Sequence, residues 1–122
     1  MRVIEGVSHV TVAASDLATA VADYRRLLAA EPLTVDGAFV FSTGNIGVVL
    51  RAAGQGEAQG LCDVAFRTAD LEKAREGFAR CGLASADAQD GESTFDAQAT
   101  HGLPIALTSR VLPASQPSPW SL

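Results

Sequence analysis

Cysteine is scarce in this chain. Cys62 and Cys81 are the only two, too few for a disulfide framework and spaced unlike a zinc or redox motif. Both are expected to be reduced thiols packed as small hydrophobes. A strand opening at Cys62 and a helix closing at Cys81 would bring them to one edge of a module. Basic charge is also short: nine Lys and Arg against fourteen Asp and Glu leave a net charge of −5. That balance provides no basic field for nucleic acid or an anionic membrane surface, while a small neutral or cationic ligand remains compatible. No apolar run approaches the roughly 20 residues of a membrane helix. The opening MRVIEGVSHV lacks the apolar stretch and small-residue cleavage site of a signal peptide, so a cytoplasmic protein is expected. Neither a Gly-rich phosphate cradle nor a nucleophile elbow is present. What remains is a chain of 122 residues, 48% hydrophobic and 19% charged, an ordinary globular composition at the size of one domain.

Within that composition the chain repeats itself. Residues 9 to 28, HVTVAASDLATAVADYRRLL, are echoed 54 positions later by residues 63 to 82, DVAFRTADLEKAREGFARCG. Superposing the copies puts Val10 on Val64, Asp16 on Asp70, Leu17 on Leu71, Ala20 on Ala74, Tyr24 on Phe78 and Arg26 on Arg80. His9 falls on Asp63. Such a repeat sets the fold reading before any single motif does, and two half-sized modules in a chain this short must share a core.

In the first module, Val3 to Ala13 alternates as a strand, with Val10 and Val12 on one face and His9, Thr11 and Ala13 on the other. Ser15 or Asp16 caps a helix carrying Leu17, Val21, Tyr24 and Leu28 at helical spacing, and Glu31-Pro32 stops it. Strands over Leu33 to Val35, Ala38 to Thr43 and Ile46 to Ala52 follow, with turns at Asp36-Gly37 and Gly44-Asn45. The order is βαβββ. Residues 54–60 read as a flexible Gly-rich linker. The second module begins with a strand over Leu61 to Thr68. Asp70 then caps a helix that turns Leu71, Ala74, Phe78 and Cys81 inward and stops at Gly82. Leu83 to Ala88, Ser93 to Ala97 and Leu103 to Val111 supply three more strands. A single α+β domain over 1–112 is therefore expected, with module one at 1–53 and module two at 61–112. Beyond it, residues 113–122 form a Pro/Ser-rich tail whose composition predicts disorder. Trp120 in that tail is costly to leave exposed, which predicts docking on this chain or on a partner copy.

Paired βαβββ modules, with HVTVAASDL leading into AVADYRRLL, resemble the vicinal oxygen chelate superfamily. This group includes glyoxalase I, bleomycin-resistance proteins, methylmalonyl-CoA epimerase and extradiol dioxygenases. The resemblance spans about Val3 to Val111. It implies that the strands curl into a cup of mixed β-sheet, a half-barrel with the helices on its convex face and the ligand inside. It also implies a homodimer. Reaction type does not follow from the fold.

In such a cup, alternation points His9, Thr11, Asp63 and Arg67 inward from the first strands, and Val49, Arg51, Ala106 and Thr108 inward from the last ones. Metal-dependent members resemble one another in pairing a histidine or carboxylate on each first strand with a glutamate on each last strand. Here His9 and Asp63 match the former positions, but GVVLR and PIALT place Val49 and Ala106 at the latter. An open metal site needs about three protein ligands. His101, or Asp96 or Glu92 from a neighbouring loop, would have to supply the third. The expectation is therefore a cup without a catalytic metal that binds a small organic ligand, as in the bleomycin-resistance branch. Two alternatives stand beside it: a divalent-metal lyase, epimerase or dioxygenase using His9, Asp63 and possibly His101, and a non-catalytic domain with a filled cup. A buried Asp63 would need a partner such as His9 or Arg67. Phe39, Phe41 and Phe95 either line the cup or pack as core, and Arg51 and Arg110 are either solvated strand ends or anion anchors.

Overall fold

The computed structural model describes residues 3–43, 46–87, 91–96, 98–110 and 116–117. Along it run β1 (Gly6–Ala14), α1 (Leu17–Leu28), β2 (Ala30–Glu31), β3 (Leu33–Val35), β4 (Ala38–Ser42) and β5 (Gly47–Ala52). These are followed by β6 (Gly60–Arg67), α2 (Leu71–Arg80), β7 (Glu92–Thr94), β8 (Ile105–Thr108) and β9 (Gln116–Pro117). Contacts divide the chain into two units. The first holds His9–Cys62 with the β9 strand; the second holds Val3–Ser8 with Asp63 to Arg110.

In the first unit, Asp16 is the N-cap of α1. Its carboxylate accepts from the Thr19 N–H at 3.1 Å and the Thr19 hydroxyl at 2.8 Å, and the backbone bond above all holds its pKa below the usual carboxylate value. Leu17, Ala20, Val21, Tyr24 and Leu28 form the inward stripe, packed on Val12, Phe41, Val48 and Leu50. The helix ends at Ala29, which takes a left-handed conformation with φ 51°. Asp36 and Gly37 both have positive φ, the geometry of a two-residue turn whose twist suits the β3–β4 hairpin. β4 pairs antiparallel with β5, and β5 pairs parallel with β1. The predicted Gly44-Asn45 turn lies outside the described residues.

The second unit repeats the plan with less. Asp70 caps α2 by accepting from the Lys73 N–H at 3.1 Å. Leu71, Ala74 and Phe78 face Phe66, Leu107, Phe95 and Ile4. β6 pairs parallel with β8, and β8 antiparallel with β7.

Four expectations are corrected. Leu83 to Ala88 forms no strand among the described residues, only a bridge from Ser85 to Phe95. The segment is instead tied to the helix: the Leu83 N–H donates to the Phe78 carbonyl at 2.8 Å, and Ser85 Oγ receives Arg75 Nε at 3.2 Å. Cys81 is not core; it is the exposed C-cap of α2, while Cys62 is half-buried, and both thiols are free. The linker is not loose, because Glu57 accepts from the Gly54 N–H at 2.8 Å and Gln59 accepts from the Ser15 N–H at 3.0 Å. The tail, read as disordered, contributes β9, which pairs antiparallel with β2. Trp120 lies outside the described residues.

Candidate functional site

Strand register sorts the side chains into faces, because residues paired across neighbouring strands project to the same side. In the first unit Val12 pairs with Leu50 and Leu50 with Phe39, while Val10 pairs with Val48 and Val48 with Phe41. These rows lie against α1. The rows between them point the other way: His9 with Gly47 and Ser42, Thr11 with Val49 and Val40, and Ala13 with Arg51. His9, Thr11 and Arg51 thus share one face, as alternation predicted. His9 is only 5% exposed and Val40 3%, so the imidazole is largely shielded from solvent. Ser42 joins His9 on this face and was missed by sequence reasoning; reading the two-residue turn through to the register would have found it.

Phe39 and Phe41 are corrected. Both lie on the helix side, and the Phe41 ring meets that of Tyr24 from α1 at 6.3 Å between centroids. Phe95 is corrected likewise. It packs edge-on against Phe78 of α2, with centroids 5.7 Å apart and planes at 88°.

Arg51 does not act as a solvated strand end. Its Nη1 and Nη2 donate to Glu57 Oε1 and Oε2 at 2.8 and 2.6 Å, and Nη2 also lies 3.2 Å from Cys62 Sγ. This bidentate geometry is the strong form of the guanidinium–carboxylate pair. Together with the Gly54 N–H it draws the Glu57 pKa down from 4.5 to about 2, the Arg51 bond being the larger cause. A linker acid six residues beyond the strand-end arginine gives no pattern a sequence reading would catch.

In the second unit, Ala65 pairs with Ala106 and Ala106 with Thr94, while Arg67 pairs with Thr108 and Thr108 with Glu92. Asp63 belongs to this face by alternation along β6, and its Oδ1 is shut off from solvent. Arg67 is largely exposed and lies 3.8 Å from Glu5. Thr108 is fully buried and accepts from the Arg110 N–H at 3.0 Å. His101 joins neither face: it is exposed in a turn before β8, at φ 58°.

Each unit therefore presents one histidine or carboxylate from its leading strand, His9 or Asp63, and an apolar residue, Val49 or Ala106, on the neighbouring parallel strand. Among the described residues no three His, Cys, Asp or Glu side chains are grouped so as to hold a metal ion.

The architecture is the vicinal oxygen chelate fold. Methylmalonyl-CoA epimerase from Streptomyces coelicolor, solved as a single-residue variant with 2-nitronate-propionyl-CoA, superposes with a TM-score of 0.70 at 17% identity, over 93% of this chain and 99% of that one. The Mycobacterium tuberculosis methylmalonyl-CoA epimerase superposes with a TM-score of 0.67 at 16% identity, over 98% and 92%. A Bacillus halodurans protein described as hypothetical reaches 0.72 at 12% identity, over 88% and 96%. No protein-family model matches the chain, and no curated protein matches it by sequence. No helix among the described residues is long and apolar enough to cross a membrane.

Proposed function

We propose that this protein binds a small organic molecule in the manner of the glyoxalase and bleomycin-resistance proteins it resembles, without a catalytic metal. The observation that carries this reading is the composition of the face around His9: a nearly buried imidazole, the Thr11 and Ser42 side chains, and Val49 and Val40 as apolar wall. An apolar surface with a few convergent polar groups suits a small ligand. His9 and Thr11 are the groups that would hydrogen-bond a carbonyl or carboxylate there. Arg51 is committed to Glu57 and fixes the edge of the face rather than meeting the ligand.

Elemental analysis of protein grown with Zn, Ni, Mn and Fe, alongside a His9→Ala variant, tests the reading. Both proteins are expected to carry metal far below one ion per chain, and a thermal-shift hit from a library of small neutral carbonyl compounds is expected to vanish in His9→Ala. Near-stoichiometric metal that disappears with His9 would overturn it. The same resemblance supports a homodimer, checked by sedimentation equilibrium.

The structural neighbours favour a second reading, an epimerase acting on an acyl-CoA ester. Epimerisation requires removal and return of the proton beside the thioester carbonyl, so deuterium from solvent would enter C2 of methylmalonyl-CoA. Catalysed wash-in that is lost in His9→Ala would select this reading over simple binding.

A further inference from the structure

On the helix side of the second unit, away from Asp63 and Arg67, lies a cavity of about 190 Å³. Ile4, Phe66, Phe78, Leu83, Phe95 and Ile105 line it, with Thr100 as a polar lining residue. That hydroxyl already donates to the Leu103 carbonyl. The cavity opens on one side to solvent and its walls are almost wholly apolar.

The internal repeat shows how the two units differ beneath their helices. In the first unit Val21 fills the gap between helix and sheet at 5% exposure, and Leu28 packs beside it. Their counterparts 54 positions on are Arg75 and Gly82. Arg75, its side chain only 19% exposed, is held by Glu72 at 3.1 Å, Ser85 at 3.2 Å and Asp87 at 3.4 Å, and Gly82 has no side chain; neither residue lines the cavity. Among the described residues, the buried cluster beneath the helix is Leu71, Ala74 and Leu107 here and Val21, Ala30, Phe41 and Leu50 in the first unit.

We propose that this cavity is a binding site for a small uncharged aromatic molecule of one ring. An apolar cavity of roughly 150 Å³ stays dry and accepts benzene, so the volume here is sufficient. The perpendicular Phe78–Phe95 pair presents ring edges and faces that a third ring complements in offset or edge-on contact. A charged or hydrogen-bonding group placed against these walls would lose hydration that nothing in the wall replaces. The proposal does not depend on what binds at the His9 face.

Toluene titrated into the full chain, with Ile and Leu methyls labelled for NMR, provides the test. Saturable shifts are expected at Ile4, Leu83, Ile105 and Leu107, with a rise in Tm of roughly 5 °C at tenfold excess over Kd. Leu83→Trp fills the cavity and is expected to abolish both effects; Ile105→Phe is the second filling variant should the first not fold. Absence of saturable shifts in the unaltered protein, or their persistence in a folded filled variant, would overturn the proposal.

Discussion

Phe41 and Glu57 show how much single side chains decide here. Phe41 is fully buried between β4 and α1, so Phe41→Ala removes a ring from a packed site and is expected to cost about 3–5 kcal/mol in urea denaturation. Phe39→Ala, at a half-buried position on the same face, is expected to cost less. Glu57 acts through charge. Its folded carboxyl titrates at about 2 against an ordinary value of 4.5, so it binds a proton less readily folded than unfolded. The stabilisation it gives is complete above 4.5 and fades as the pH falls toward 2. Glu57→Gln is therefore expected to flatten the fall in urea midpoint across that acid range, because the neutral amide has no proton to gain.

Elements were legible where local chemistry acts alone. Asp16 and Asp70 cap their helices as their positions predict, and Asp36-Gly37 makes the hairpin it announces. At the other end of α1, Ala29 holds a left-handed conformation that favours glycine. Ala29→Gly is accordingly expected to raise stability by up to about 1 kcal/mol, read from the urea midpoint. Faces were legible on β1, where polar His9 and Thr11 alternate with Val10 and Val12. On β4 they were not, since AFVFS is apolar on both sides and polarity cannot choose between them. The repeat held the missing information: Phe95 stands 54 positions after Phe41, and both rings pack under their own helix. The loss of a strand after α2 was invisible because it follows from Arg75 and Phe78 capturing Ser85 and Leu83, contacts that exist only in three dimensions.

At the scale of the molecule, the two units carry unequal cores on one plan. Protection against amide exchange follows the burial of apolar contacts, so the central amides of α1 are expected to exchange more slowly than those of α2. Equal protection in both helices, measured by native-state exchange, would contradict this ordering. The units are also interleaved in sequence. Ile4 packs in the second core, and the Glu5 N–H donates to the Arg67 carbonyl at 2.8 Å. At the other end, β9 pairs with β2 of the first unit. During translation, Ile4 and Glu5 wait for partners made more than sixty positions later, and the first unit gains β9 only after the residues of the second unit have been made. The first unit therefore cannot be completed before every residue of the second has been made, so its core stays open the longer of the two during synthesis.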